Sequence, residues 1–248
     1  MKRIAVKGRQ RVEIHVDTSV RAEDGSEAIV VIRPKRKCRV EMRVGSGCRI
    51  ESYIIQQEGA DVTQTNRVGE GSVVNTHCLW LSGGRGEVRN ILEGPHSEAY
   101  DLHIFVERDA EMLRLNSVLR HSGRGTKGNI LVKGIARDAA SATLAGMIKI
   151  DKKGAGSESF LAQHVILMNP GAHATAKPEL EIENNEVSSR HSASVSQIDG
   201  EKVFYLMTRG LGREEARKLI VEGFLESAIE RVRDTLQLLR RGPRAQKA

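Results

Sequence analysis

The chain has 248 residues, 39% of them hydrophobic, and a formal net charge of +7 at pH 7. This length suits one β-rich domain with an appendage better than two large independent domains. No apolar run approaches the roughly 20 residues that span a bilayer, and the basic first ten residues lack the apolar stretch of a signal peptide. We therefore expect a soluble, cytoplasmic protein without a membrane partner.

The positive charge predicts an acidic partner or nucleic acid, because clustered lysine and arginine attract anions. Aromatic residues make up only 3% of the chain, which leaves few side chains to stack on unpaired bases and argues against nucleic acid. The densest basic run, residues 33–37, lies between two apolar stretches and is interpreted as a solvated turn. The three cysteines lack paired spacing, which favours free thiols in a reducing compartment.

Between residues 12 and 198 apolar and polar side chains alternate in short segments, as half-buried strands require. Residues 39–44, 130–136, 142–150 and 179–183 are clear examples. Glycine-rich clusters separate the segments at near-regular intervals and predict turns. Many short strands of this kind fit a sandwich, a barrel or an irregular β-solenoid, and the pattern alone does not rank the three.

A helical pattern replaces the alternation near the C-terminus. Asp199 is placed to cap a short helix that ends before Gly210, and a longer amphipathic helix begins at Arg213. The apolar stripe of this helical pair either covers the open end of the β core or docks a partner. The predicted organisation is a β core over residues 1–198, a helical segment over 199–241 and a disordered tail over 242–248.

Several residue types in these segments are candidates for chemistry. The stretch 123–128 matches the dinucleotide glycine fingerprint by letter, but a strand follows it where that fingerprint needs a helix, so we expect no nucleotide on this chain. His191 shares strand parity with apolar neighbours and is typical of a core histidine. Glu181 and Glu183 form an acidic strand face, which most often means solvated carboxylates. Cys78 is best explained as a buried, inert thiol.

A series of short motifs marks the C-terminal third. The motifs are KPELEI at 177–182, HSASVSQID at 191–199, FYLMTRGL at 204–211, EEA at 214–216 and LIVEGF at 219–224. In this order and spacing they resemble the core signature of the SufB/SufD family of iron–sulfur cluster assembly scaffolds. The similarity extends over about residues 142–233.

The resemblance implies a right-handed parallel β-helix with C-terminal helices, a dimer joined through the core, and a SufC-type ABC ATPase bound at the helices. It implies a scaffold and not an enzyme, because ATP is hydrolysed on the partner. The scaffold receives sulfur and iron, builds a transient iron–sulfur cluster and passes it to apo-proteins. For a compact chain we expect a homodimer, with a SufB/SufD-like heterodimer as the other arrangement.

The resemblance also nominates individual residues. His191 falls on the family's interface histidine, and Glu181 falls on the glutamate of its Pro-x-hydrophobic-Glu strand, so both become candidate cluster ligands. An ungapped match puts Gln163 where SufB carries its sulfur-accepting cysteine, and the glutamates that flank the histidine in SufB are absent here. The candidate replacement metal ligands are Glu183, His164 and Cys78.

Other functions stay open beside the scaffold. A SufD-like structural subunit that carries no cluster is favoured by the missing cysteine. A basic nucleic-acid-binding β protein is favoured only by the charge. A β-solenoid carbohydrate enzyme is disfavoured, because no convincing pair of catalytic carboxylates can be assigned.

Overall fold

Most of the chain is β-strand. In a computed structural model, residues 1–241 are described, with side chains described through residue 230. No helix in this part of the chain is both long and apolar enough to cross a membrane. The elements are β1 (Lys2–Val6), β2 (Arg9–Ile14), β3 (Thr18–Ala22), β4 (Glu27–Ile32), β5 (Cys38–Val44), β6 (Arg49–Gln56), β7 (Val62–Val68), β8 (Val73–Trp80), β9 (Gly84–Leu92), β10 (Glu98–Glu107), β11 (Met112–His121), β12 (Lys127–Ala136), β13 (Ser141–Ile150), β14 (Glu158–Leu167), β15 (His173–Ile182), β16 (Ser188–Gln197), α1 (Gly200–Thr208) and α2 (Arg213–Arg241).

The strands form two eight-stranded sheets in which every pairing is parallel. Odd-numbered strands make up the first sheet and even-numbered strands the second, each in sequential spatial order. The chain therefore crosses to the opposite sheet at every turn, and each pair of strands adds one coil to a β-solenoid. This arrangement confirms the predicted parallel β-helix with a C-terminal helical appendage and decides against the sandwich and the barrel.

The solenoid begins earlier than the alternation predicts, because β1 and β2 precede or include residue 12. Val6 is fully buried in the core, but Arg3, Arg9 and Arg11 occupy positions in these two strands. Charged side chains on edge strands discourage pairing with another chain. The same charges obscure the hydrophobic alternation by which a strand is recognised from sequence.

Glycines stack in consecutive turns along one side of the solenoid. A methyl group on Gly69 would lie 2.5 Å from the carbonyl oxygen of Gly45, and one on Gly123 would lie 2.6 Å from that of Gly94. At Gly94 the nearest atom would be the backbone nitrogen of Glu70, at 2.0 Å. The turns therefore pack backbone to backbone, which explains why the glycine clusters recur at near-regular intervals in the sequence.

The space between the sheets is filled by the inward side chains of every coil. In β5 the pattern alternates strictly, with Cys38, Val40, Met42 and Val44 buried and the residues between them exposed. Burial of such apolar surface stabilises the fold by roughly 25 cal/mol per Å². This cluster runs through the length of the solenoid, from Val6 to Val165.

The helix start and stop signals predicted from the sequence are confirmed in α1 and α2. The Asp199 side chain accepts hydrogen bonds from the backbone N–H groups of Glu201 and Lys202, which satisfies donors that the first helical turn leaves free. Gly210 has a φ of +95°, a conformation that glycine adopts without strain. α2 begins at Arg213 as expected. The predicted disordered tail, 242–248, lies outside the described residues.

The long helix covers a side of the solenoid. Leu225 and Ala228 of α2 pack against Leu102, Ile104 and Ile135 on the outer face of the second sheet. The interpretation that this apolar stripe covers the open end of the core is therefore wrong for these residues. The sequence pattern shows that a helix has an apolar face but does not show which surface of a solenoid receives it.

Lys133 on β12 also holds α2 against the second sheet. Its Nζ donates to the Phe224 carbonyl oxygen at 2.6 Å and to Ser227 Oγ at 2.7 Å, and it lies 4.9 Å from the centroid of the Phe224 ring. Arg217 Nη2 donates to the Met168 carbonyl oxygen at 2.5 Å. These polar contacts fix the position of α2 on the sheet.

Candidate functional site

The last coil of the solenoid, which we call the terminal coil, consists of β15, the turn at 183–187 and β16. β15 and β16 are the final strands of the two sheets, so no described strand pairs with their outer edges. Unpaired backbone groups on such edges are a template for another strand. Arg190 is the one lysine, arginine, aspartate or glutamate of β16, whose other residues apart from His191 are serine, alanine, valine and glutamine, so its edge carries few of the charges that block pairing.

His191 lies on the inner face of β16. Its register partner is Leu161, which is fully buried in the core, and partners in parallel strands keep their side chains on the same face. This is the apolar side that strand parity predicted. No further coil covers it, and His191 is therefore exposed. An imidazole at the open end of the solenoid is accessible to a metal from outside.

Glu181 lies at the end of β15, on the outside of the first sheet, and Glu183 follows directly after the strand. Lys149 is the register partner of Glu181. Its Nζ donates to Glu181 Oε1 at 2.5 Å and lies 3.6 Å from Glu183 Oε1. The hydrogen bond to Glu181 raises the pKa of Lys149. The two carboxylates are thus paired with a cation and lie on a different sheet from His191.

His164 lies on the outer face of β14, on the same side of the second sheet as α2. Its Nδ1 is 2.7 Å from Ser194 Oγ, and its register partner is Lys133. Burial, and then the charge of Lys133, lower the pKa of His164. The neutral imidazole that results is the form that binds metals, but it faces away from His191.

Cys78 lies deep in the solenoid, on the inner face of β8. It is buried, and burial followed by the nearby Asp101 raises its pKa well above the ordinary value. Four strand spacings separate β8 from β16 in the second sheet, which amounts to about 19 Å. The sequence interpretation of Cys78 as a buried thiol is confirmed. Cys38 and Cys48 are buried as well.

Within one chain these placements bring together only Glu181 and Glu183 among the five candidate ligands. Among the side chains that the structure describes, no three histidine, cysteine, aspartate or glutamate residues lie close enough together to hold a metal ion. His191 and Glu181 share the terminal coil but face opposite ways from it.

Gln163, the residue matched to the sulfur-accepting cysteine of SufB, points into the solenoid. It lies on the inner face of β14 with Ala193 of β16 as its register partner, and its side chain is fully buried. Its Nε2 and Oε1 make no hydrogen bond with described residues. Buried polar atoms without hydrogen bonds lower the stability of the fold. The interior beneath the terminal coil therefore contains a polar group whose hydrogen-bonding capacity is unused.

A line of buried polar side chains in the solenoid interior was missed by sequence reasoning. Hydrogen bonds join neighbours in it at 2.7 to 3.1 Å, and Asp101 lies at its end. The members are Ser52, Gln64, Asn66, Asn90 and Asp101. Burial raises the pKa of Asp101 to about 7. The signal was present in β7, where Gln64 and Asn66 occupy the inward parity of Val62 and Val68.

The helices expose a separate apolar surface. Phe204 and Tyr205 of α1 are 68% and 56% exposed, and Leu219 and Ile229 of α2 are also exposed. α2 already buries Leu225 against the sheet, so these side chains are left over after the helix has docked. Exposed aromatic and aliphatic residues of this kind are typical of protein-binding surfaces.

Comparison with known sequences identifies the family of this solenoid with its helical appendage. Residues 5–224 match the family model described as "SUF system FeS cluster assembly, SufBD core domain". The chain belongs to this SufBD family of iron–sulfur cluster assembly proteins. The match covers the solenoid from residue 5 onward, all of α1 and the first part of α2.

Curated relatives carry names from the same system. The chain is 28% identical over 155 residues to "Iron-sulfur cluster assembly protein SufD" of Bacillus subtilis, covering 62% of the chain and 32% of that protein. It is 30% identical over 248 residues to "Iron-sulfur cluster assembly SufBD family protein ML0594" of Mycobacterium leprae, covering 92% of the chain and 63% of that protein. The chain thus spans less than two thirds of either relative.

Proposed function

We propose that this chain is a scaffold subunit that assembles and transfers iron–sulfur clusters together with a SufC-type ABC ATPase, in the cytoplasm. The supporting observation is His191, an exposed imidazole on the unpaired terminal coil, at the position of the family's interface histidine. Sulfur and iron are the substrates in this scheme, and the cluster is a transient cargo. The chain hydrolyses no ATP itself.

In this proposal the cluster forms between two terminal coils. His191 is the first ligand, because it is accessible without rearrangement. Glu181 and Glu183 become available when Lys149 is displaced. His164 lies on β14 and faces away from His191, so it would join them only after a larger rearrangement that also opens its contact with Ser194. In this proposal the ATPase cycle drives these shifts, because closing and opening of the ATPase can move the coils that carry the ligands.

Anaerobic reconstitution with ferrous iron and sulfide tests the site. The wild type should develop the visible charge-transfer absorbance of an iron–sulfur cluster, and His191→Ala should lose most of it because its anchoring ligand is gone. His173→Ala is the matched control, since His173 is exposed on the outer face of β15, and it should keep the absorbance. Equal clusters in the wild type and in His191→Ala would contradict the assignment of His191.

The edges of β15 and β16 predict a homodimer. Two copies that add strands to each other at the terminal coil would satisfy the free backbone edges, whereas the opposite end carries the exposed cations Lys2, Arg3 and Arg9 and repels a copy of itself. Light scattering on the purified protein with its ATPase should give two scaffold chains of 27.3 kDa in each complex. A single scaffold chain in the complex would contradict the dimer.

The exposed apolar residues of α1 and α2 are proposed to bind the ATPase. Replacing both Phe204 and Tyr205 with serine should weaken ATPase binding at least 100-fold in calorimetric titration, because aromatic anchors at the centre of an interface each contribute about 2 kcal/mol or more. Met112→Ser is the matched control: this residue is 64% exposed and lies on β11, in the other sheet from the one that α2 covers. Unchanged affinity in the double variant would place the ATPase elsewhere.

A SufD-like structural subunit is the second candidate. It is favoured by the buried state of all three cysteines and by Gln163 in place of the sulfur-accepting cysteine. In that case the chain would bind the ATPase through α1 and α2 yet yield no cluster on reconstitution alone. Addition of a SufB-like chain would then restore the absorbance.

A further inference from the structure

The net charge of the chain comes entirely from its N-terminal coils. Residues 1–49 contain 13 lysines and arginines and six aspartates and glutamates, so this segment alone carries a formal charge of +7, and the remainder is electrically balanced. The terminal coil and the helices, to which the proposed function assigns the cluster and the ATPase, lie at the other end of the chain. The charge therefore belongs to a separate part of the molecule.

Much of this charge gathers in the turn between β4 and β5. Four exposed cations lie in the turn, and Arg39 follows just inside β5. We call this surface the basic ridge, and its cations are Arg33, Lys35, Arg36, Lys37 and Arg39. The sequence interpretation of residues 33–37 as an exposed turn is confirmed.

The cations of the basic ridge are not neutralised. None has a carboxylate oxygen within 4.0 Å among the side chains that the structure describes, although cations elsewhere, such as Arg120 with Asp151, are paired. The neighbouring carboxylate of Asp17 accepts a hydrogen bond from the Arg39 backbone N–H at 2.8 Å. Uncompensated positive charges in one turn repel one another and attract anions. Binding of an acidic group therefore relieves this repulsion and is electrostatically favourable.

An apolar side chain lies beside these cations. Val16 is 58% exposed in the turn between β2 and β3. That turn is held to the ridge, because Arg33 N donates to the Ile14 carbonyl oxygen at 2.9 Å and His15 Nδ1 lies 3.0 Å from the Arg33 carbonyl oxygen. An apolar residue beside arginines resembles the anchor and rim of a protein interface.

We propose that the basic ridge, with Val16, docks an acidic segment of a partner protein that places an apolar side chain on Val16. A second copy of this chain does not fit, because its ridge has the same charge and the rest of the chain is also positive overall, with a formal charge of +2 once the five ridge cations are subtracted from +7. A nucleic acid would find no aromatic side chain in the ridge on which to stack a base. The contact concerns a different partner from the ATPase.

Fluorescence anisotropy with synthetic probes tests the docking surface on the full chain. One probe is an acidic peptide of aspartate and glutamate with a central leucine, the second replaces the leucine with serine, and the third is a single-stranded oligonucleotide of equal charge. The wild type should bind the leucine peptide at least fivefold more tightly than either other probe. Val16→Ser should remove the preference for leucine over serine.

Charge reversal supplies the matched comparison. The K35E/R36E/K37E variant should weaken binding of the leucine peptide at least tenfold, whereas R124E/K152E/K153E, which changes the same amount of charge at exposed positions elsewhere, should weaken it less than threefold. All these side chains are exposed, and circular dichroism melts check that the variants fold. Equal losses in the two triple variants, or an oligonucleotide that binds as tightly as the leucine peptide, would overturn the proposal. Neither readout depends on a cluster or on the ATPase.

Discussion

Replacing Trp80 with alanine should lower the free energy of unfolding by about 4 kcal/mol. Trp80 is fully buried on the inner face of β8, and truncation would leave a large cavity between the sheets. Its indole N–H also donates to His103 Nδ1 at 3.3 Å, so the acceptor would lose its partner. Urea denaturation followed by far-ultraviolet circular dichroism measures the change, because Trp80 is the only tryptophan and its fluorescence disappears with it.

Gly86, which faces the Trp80 indole, allows a test of this packing by a double-mutant cycle. A methyl group on Gly86 would lie 2.4 Å from Cη2 of the indole, so Gly86→Ala should cost about 1 to 3 kcal/mol in the wild type. In the Trp80→Ala background the same methyl group enters the cavity, and the cost should disappear. Additive effects in this double-mutant cycle would contradict the packing. Met112→Ala, at an exposed position, should change stability by less than about 0.5 kcal/mol.

Individual strands were readable from the sequence, but their stacking was not. The alternation at residues 142–150 corresponds to β13, Ser141–Ile150. The same alternation suits a sandwich or a barrel, because it reports which face of a strand is buried and not which strand lies beside it. The fit of Trp80 over Gly86 likewise joins residues on different strands and leaves no local pattern.

In the candidate site, too, local features were predictable from the sequence and contacts between strands were not. Strand parity placed His191 on the inner face correctly, since the face of a side chain follows from local alternation. Its exposure was not predictable, because that depends on β16 being the last strand of its sheet. The pairing of Glu181 with Lys149 depends on the register between β13 and β15. Only the SufB/SufD resemblance connected these residues to cluster chemistry.

Replacing Asp101 with asparagine should stabilise the protein at pH 8 and destabilise it at pH 4. Asp101 is buried, accepts two hydrogen bonds from Asn90 Nδ2 at 2.8 and 2.7 Å, and has no cation within 4.0 Å among the described side chains. Burial raises its pKa from the ordinary value of 3.8 to about 7, although the hydrogen bonds from Asn90 oppose the shift.

The direction follows from proton linkage. Between about pH 4 and pH 7 the folded protein keeps a proton on Asp101 that the unfolded chain has released, so each pH unit lowers the free energy of unfolding by about 1.4 kcal/mol. The loss is complete once the pH has passed the folded-state pKa and amounts to about 4 kcal/mol. Asparagine does not titrate and avoids this loss. Its amide accepts one fewer hydrogen bond from Asn90, which costs about 1 kcal/mol at every pH.

In the wild type alone, the dependence of the free energy of unfolding on pH does not reveal the contribution of Asp101. Burial lowers the pKa of His103 and of His121 to about 4, so their contribution to stability is lost as the pH falls from about 6.5 towards 4. That slope has the opposite sign to the slope of Asp101 in nearly the same window. The difference between Asp101→Asn and the wild type cancels the histidines, since both proteins contain them.

Urea unfolding of both proteins from pH 4 to pH 8 measures that difference. It should run from about 1 kcal/mol against the variant at pH 4 to about 3 kcal/mol in its favour at pH 8. Asp109→Asn, at a side chain that is 82% exposed, controls for the loss of one negative charge and should give a difference that hardly varies with pH. A constant difference for Asp101→Asn as well would show that the interior carboxyl releases its proton at an ordinary pH, and that the polar line beside Asn90 solvates the charge.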